Sequence, residues 1–200
     1  MVGFTEELAM MNEQYWRDYY ATPHTLEPSP FARWAGEQLR GKKILDLGCG
    51  NGRDTNYLRC ENDVIGVDLF APAGEWFRRQ SIESFLATDP DADVAYCRFL
   101  FQAIDGYLQS AIINWAWRKQ VALYIEARSS FDRPKIINHD RRLINGKALL
   151  HELLFKGFYV TYYREGRGMA PFGGEDPCIV RIVAQPNAQT LMAAPEGAEK

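Results

Sequence analysis

The chain of 200 residues, 46% hydrophobic, 13% aromatic and 24% charged, is long enough for one domain with a real core and lies outside the disordered, fibrous and membrane classes. A formal net charge of -3 lacks the broad positive field that phosphate backbones select for, so no nucleic-acid partner is expected. Cys49, Cys60, Cys97 and Cys178 match no zinc-ligand or redox spacing and no dense disulfide framework; they read as reduced thiols of a cytoplasmic protein, with no structural metal expected.

In chain order, Leu8, Met11, Tyr15 and Tyr19 recur at helical spacing and predict an amphipathic helix over Phe4 to Tyr20. Ser29 and Pro30 suit the cap and first position of a second helix, roughly Phe31 to Leu39. After Gly41 come an apolar run at Lys43 to Leu47, a glycine turn, a polar helix to about Cys60, and a second apolar run at Asp63 to Val67 that ends on Asp68. Continuous apolar runs of this length are what buried parallel strands look like, so the segment reads as a β-α-β unit. Further strands are predicted at Asp93 to Cys97, Val121 to Glu126, Phe158 to Tyr163 and Cys178 to Ala184, with helices at about Ile104 to Arg118 and Asn145 to Lys156. The last two strands are joined by a glycine-rich loop, Glu165 to Gly174, which predicts an antiparallel pair. Runs such as Val121 to Ile125 fall far short of a membrane span, and the N-terminus is acidic at Glu6 and Glu7, so neither insertion nor export is expected.

The segment richest in chemistry is Ile44-Leu-Asp-Leu-Gly48-Cys-Gly50-Asn-Gly52-Arg-Asp54. A nucleoside needs backbone to approach it closely, and glycines permit both the approach and the positive torsions of a sharp strand-to-helix turn. Amides at the start of the following helix suit a polar or negative group. Asp68 lies 20 residues beyond Gly48, at the end of the second strand, where a carboxylate can accept hydrogen bonds from ribose hydroxyls.

Leu45-Asp-Leu-Gly-Cys-Gly-Asn-Gly52 followed by Val64-Ile-Gly-Val-Asp68 resembles the first two motifs of the class I, Rossmann-like, S-adenosylmethionine-dependent methyltransferases. The third glycine follows the second by two positions, whereas in nicotinamide enzymes it follows by three. The resemblance implies an α/β fold, a three-layer Rossmann-like sandwich whose mainly parallel seven-stranded sheet has a reversed last strand, with a helical N-terminal extension. It divides the chain into a helical lid or extension at 1–40, an S-adenosylmethionine-binding domain at 41–185 and a mobile tail at 186–200. It also implies roles for single residues. Asp46, Gly48, Cys49, Gly50, Asn51 and Gly52 would line the methionine and ribose side of the cofactor, Asp68 would bind the ribose, and Leu69 would touch the adenine. The acid that often follows the third strand is displaced here, so Ser81 and Ile82 are the adenine-side candidates, with Glu83 as the other acid. Only 12 residues, Leu69 to Gln80, precede that segment, which shrinks the intervening helix.

Methyl transfer from a sulfonium is an in-line displacement, so the chain must hold the acceptor behind the methyl and provide for any departing proton. The loops beyond the fourth and fifth strands are where such residues belong. Arg98 and Phe99 would adjoin the cofactor and Gln102 would orient an acceptor; the Asn/Asp-Pro-Pro-aromatic sequence of DNA-base methyltransferases is missing there. Beyond the fifth strand, Arg128, Asp132, Arg133, Lys135, His139, Arg141 and Arg142 form a charged loop. His139 is its base candidate, Arg142 a catalytic-site candidate, and Arg128 and Arg141 would bind an anionic acceptor. Tyr15 and Tyr19, with Trp16 and Tyr20, are candidates for a lid over the substrate, or else a stripe packed on the core. The expected activity is O- or N-methylation of a small-molecule or glycan-linked, anionic acceptor, and the alternative is a non-catalytic relative that binds S-adenosylmethionine for regulation or partner binding. A homodimer is compatible with the sequence.

Overall fold

The structure is a computed structural model that describes residues 14–22, 24–132 and 142–187. Helix α1 runs through residues 14–21; the start of the predicted Phe4 to Tyr20 helix and the tail beyond 187 lie outside the described residues. The elements that follow are α2 (Pro30–Gly36), β1 (Lys43–Leu47), α3 (Arg53–Leu58), β2 (Asp63–Asp68), β3 (Phe77–Arg79), α4 (Ile82–Leu86), β4 (Val94–Arg98), a short 3-10 turn (Phe101–Ala103), α5 (Gly106–Arg118), β5 (Ala122–Arg128), α6 (Gly146–Lys156), β6 (Phe158–Gly166) and β7 (Ile179–Pro186).

The seven strands form one sheet in the order β3-β2-β1-β4-β5-β7-β6. All neighbours are parallel except those of β7, which runs antiparallel to both β5 and β6. Period-two alternation divides each strand between two helical layers. Leu45, Leu47, Ala95, Cys97, Leu123 and Ile125 pack with residues of α4, α5 and α6. Ile44, Val64, Val94, Tyr96, Tyr124 and Val183 pack with Phe31, Ala32 and Ala35 of α2 and Leu58 of α3. Burial of each large aliphatic or aromatic side chain contributes about 1.5–3 kcal/mol, and these two layers are the fold's main stabilising term.

The ends of the helices follow local chemistry. Ser29 caps α2, its Oγ accepting from the Ala32 amide at 3.0 Å, and Pro30 takes the first helical position as predicted. Asp105 and Asn145 cap α5 and α6 in the same way, and Gly157, at φ 100°, ends α6 in the left-handed region that a glycine tolerates. One expectation is corrected: no helix joins β2 to β3. Residues 69–76 form turns, tied by the Arg79 Nε donating to the Ala71 carbonyl at 2.9 Å, because the connection is too short to cross a sheet layer as a helix.

Candidate nucleoside site at the ends of β1, β2 and β4

Ligands of open parallel sheets sit beyond the carboxyl ends of the strands, at the point where strand order reverses. Here that point lies between β1 and β4, since chain order runs outward through β2 and β3 on one side and through β4 and β5 on the other. The turn from Gly48 to Gly52 lies there. Its three glycines have φ of 75°, 55° and 77°, a region that costs other residues energy. Space matters as well. A Cβ on Gly50 would lie 2.2 Å from the Tyr20 Oη, and one on Gly52 would lie 2.5 Å from the Phe77 ring.

The turn is pinned to β2. Val67's carbonyl accepts from the amides of Gly48 at 2.8 Å and Cys49 at 3.3 Å. The Asp68 carboxylate accepts from the Gly50 amide at 3.1 Å and the Phe70 amide at 2.8 Å. One oxygen serves each amide, so each keeps a further lone pair, and together these suit a vicinal diol. Burial pushes the Asp68 carboxyl up, and the two amide hydrogen bonds oppose this. Leu69, beside it, is 52% exposed. Cys49 is buried against Gly66, where burial and the nearby Asp46 and Asp68 push its thiol up; it is a neutral packing group. Asn51 spends its side-chain amide on the Thr25 carbonyl at 3.1 Å, which ties the segment before α2 to the turn. The six-residue α3 is too short to contribute much macrodipole, so close backbone approach and Asp68 are what the turn offers a ligand.

Asp46, at the end of β1, is 2% exposed and accepts from the Thr55 hydroxyl at 2.6 Å. Burial, reinforced by the charge of Asp54, pushes its carboxyl up to about 7 against that hydrogen bond. The folded protein therefore holds this proton to higher pH than the unfolded chain, whose value is 3.8. Between the two values the folded state binds more protons, so the contribution to stability falls as pH rises from about 4 to 7. In Asp46→Asn the slope disappears: the melting temperature of the variant relative to wild type rises from pH 5 to pH 8, and parallel profiles would contradict the assignment.

A row of charge crosses the sheet on the same face. The strand registers place Arg98 opposite Glu126 and Glu126 opposite Arg181. Glu126 is fully buried and accepts from Arg181 through Nη2 at 2.6 Å and Nε at 3.1 Å. Its other oxygen lies 3.4 Å from the Arg98 Nε. Asp54 in α3 accepts from the Ser29 amide at 2.8 Å, the Ser29 hydroxyl at 2.6 Å and the Tyr96 hydroxyl at 2.9 Å. The motif reading missed Asp54, Glu126 and Arg181. A signal was present, because an arginine inside the apolar run Ile179 to Val183 has to find a buried partner.

Phe99 follows at φ 55°, strained for a bulky residue. Its amide donates to the Glu126 carbonyl at 2.7 Å, the Arg98 guanidinium lies 4.3 Å from its ring centroid, and it packs with Met169, Ala170 and Ile179.

The other predicted residues are distributed as follows. Ser81 caps α4 by accepting from the Ser84 amide at 3.1 Å, Ile82 is buried in the core with α5, and Glu83 is exposed. Gln102 is buried, and its side-chain oxygen accepts from the Arg128 amide while its carbonyl accepts from the Arg142 amide at 2.9 Å. Arg128 is paired internally, with Asp132 at 3.1 Å and Glu175 at 3.3 Å. Arg142 is exposed. His139 and Arg141 lie outside the described residues. Tyr15 and Tyr19 stack along α1 at 6.3 Å, but it is Tyr20 that covers Gly50 and stacks on Phe70 at 6.0 Å. Burial and the charge of Asp68 push the Tyr20 phenol up. Among the described residues, no helix is long and apolar enough to cross a membrane.

This sheet order, with its reversed β7, is the fold of the class I S-adenosylmethionine-dependent methyltransferases. No protein-family model and no curated protein sequence matches the chain. Solved structures do. The chain is similar to the 1,6-didemethyltoxoflavin-N1-methyltransferase of Burkholderia thailandensis, crystallised with 1,6-didemethyltoxoflavin and S-adenosylhomocysteine, at 17% identity and a TM-score of 0.69 over 91% of this chain and 89% of that one. It is similar to the magnesium protoporphyrin IX methyltransferase of Synechocystis PCC 6803, crystallised with S-adenosylmethionine, at 17% identity and a TM-score of 0.53 over 94% and 86%. The 4+2 cyclase SpnF shares the fold at 12% identity and a TM-score of 0.61 over 92% and 94%. One architecture thus carries different chemistries, and function has to be argued from the site.

Proposed function

We propose that the protein is an S-adenosylmethionine-dependent methyltransferase that acts on a small-molecule or glycan-linked acceptor. The observation that carries this reading is the pairing of Asp68 with the Gly48–Gly52 turn: a carboxylate with lone pairs to spare, hydrogen-bonded to the turn over which a nucleoside would lie. Asp68 would hold the ribose hydroxyls, the three glycines would admit the ligand close to backbone, and Leu69 would flank the adenine. The bound cofactor supplies an electrophilic methyl on a sulfonium. The chain's own part is to hold the acceptor in line and to exclude water.

Residues 1–40 act as the lid in this reading and 41–185 as the binding domain. Tyr20 supports it, since α1 already rests on the turn through this side chain. On the acceptor side, the Gln102 side-chain oxygen accepts from the Arg128 amide, and the Arg128 Nη groups donate to Asp132 and Glu175. In this reading Arg142 and Arg141 bind the acceptor, and His139 removes a proton where the acceptor needs it. Arg142→Ala raises the acceptor's KM and leaves cofactor affinity nearly unchanged. His139→Ala lowers kcat to roughly a hundredth. Steady-state kinetics of both variants check this, and wild-type constants for both would return the loop to a solvated surface.

Calorimetry with S-adenosylhomocysteine tests the reading directly: the wild-type chain binds it, raises its melting temperature with it, and does so with neither NAD nor ATP. Absence of binding sinks the proposal. Binding without methyl transfer to any member of a broad acceptor panel would favour a regulatory S-adenosylmethionine-binding protein instead.

A further inference from the structure

Between α4, α5 and the end of α6 lies a groove of about 480 Å³, lined by Leu86, Leu108, Ala111, Trp115 and Trp117, with Lys156 on its α6 side. The Lys156 ammonium lies 5.2 Å from the centre of the Trp117 ring, and among the described residues it makes no ion pair. The indole nitrogens of Trp115 and Trp117 are buried without a hydrogen-bond partner among the described residues, although a buried indole N–H usually finds one. Apolar side chains also stand open around the groove. Tyr107, which lines it at the start of α5, is 74% exposed. Leu154 and Phe155, next to Lys156 on α6, are 50% and 96% exposed. Single exposed apolar residues need no explanation, but several gathered at one groove mark a surface that something covers.

The path of the chain says what the cover is. β7 ends at Pro186, and the Asn187 amide donates to the Gly157 carbonyl at 3.0 Å, so residues 188–200 set out one position from Lys156. They carry Leu191, Met192, Ala193 and Ala194, then Glu196 and Glu199. Four residues of extended chain reach about 14 Å, enough to bring Leu191 past the Lys156 ammonium to the Trp117 ring. We propose that the groove between α4, α5 and α6 is a docking surface for residues 191–194 of this same chain. Leu191 and Met192 match its apolar walls, and the unbranched methionine adapts to an irregular gap. Glu196 brings an opposite charge to Lys156, which adds selectivity more than strength at an exposed site. Tethering favours the chain's own segment over a second copy, because a segment fixed a few residues away is present at an effective concentration in the millimolar range. The proposal is independent of the cofactor reading, and it gives a place to residues whose composition alone reads as a mobile tail.

Paramagnetic broadening on the full chain tests this. In Cys60→Ser, which removes the exposed thiol, a nitroxide attached through Ala193→Cys broadens the indole signals of Trp115 and Trp117. It spares Trp34, which packs in the layer on the other side of the sheet. Leu191→Asp together with Met192→Asp, in a segment outside the core, removes most of that broadening without touching the fold. Ala111→Glu, which places a charge among the groove's apolar walls, does the same from the other partner. Unbroadened indoles in the labelled chain overturn the proposal. So does broadening that persists in Leu191→Asp/Met192→Asp, since a tail that is merely tethered nearby needs neither side chain. A mixture of spin-labelled chains with unlabelled, isotope-enriched ones leaves the indoles of the latter sharp; broadening there assigns the groove to a second copy and overturns the proposal as well.

Discussion

Asp68→Ala is expected to weaken S-adenosylhomocysteine binding by ten- to a thousandfold, on the order of 1.4–4 kcal/mol. Two losses add. The acceptor for the ribose hydroxyls disappears, and the amides of Gly50 and Phe70, which donate to Asp68 at 3.1 and 2.8 Å, lose their partner and loosen the turn. Asp68→Asn separates the two effects. Its single carbonyl oxygen can serve only one of the amides, so the turn is partly held while the charge is lost, and an intermediate affinity follows. Calorimetry, or the melting shift at saturating ligand, reads the series. Near-wild-type affinity in the alanine variant would remove the main support for the nucleoside reading.

The largest stability effect is expected at Glu126. Removing one partner of a buried ion pair leaves uncompensated charge and costs about 3–5 kcal/mol, which for a chain of this size lowers Tm by roughly 6–20 °C. Glu126→Gln places two arginines, Arg98 and Arg181, on either side of a neutral amide. Arg98 retains Asp54 at 3.9 Å, but Arg181 keeps little beyond the Met169 carbonyl at 3.3 Å and the rings of Phe31 and Trp34. Adding Arg181→Met to Glu126→Leu removes both charges of the tighter pair and is expected to recover much of the loss, since well-packed apolar replacements of buried pairs are often neutral or better. Denaturant unfolding of the single and double variants gives the coupling. A single variant within about 1 kcal/mol of wild type would show that the row is solvated in a way its burial does not indicate.

The parts of this protein that were legible in its sequence are those whose causes are local. The Ser29-Pro30 start of α2, the glycine turn and the acid at the end of β2 each depend on a few neighbouring torsions or on one uninterrupted apolar run. Continuous hydrophobicity also placed six of the seven strands to within a few residues, but not the three-residue β3, which has no buried residue to mark it, and the glycine-rich loop before the last strand announced its reversal. The β2–β3 connection was misread because the resemblance supplied a helix where eight residues of turn suffice.

Tertiary structure decided what the polar side chains do. Helical spacing on α1 pointed to Tyr15 and Tyr19, but which aromatic meets the turn depends on how the helix is rotated against Gly50, and that residue is Tyr20. Arg128 read as a free cation until Glu175, 47 residues away, and the nearer Asp132 came beside it. Glu126 and Arg181, 55 residues apart, became partners only through the register of β5 and β7. Backbone conformation is selected by neighbours along the chain. The pairing of a charge is selected by what else is desolvated beside it, and that is known only once distant strands have aligned.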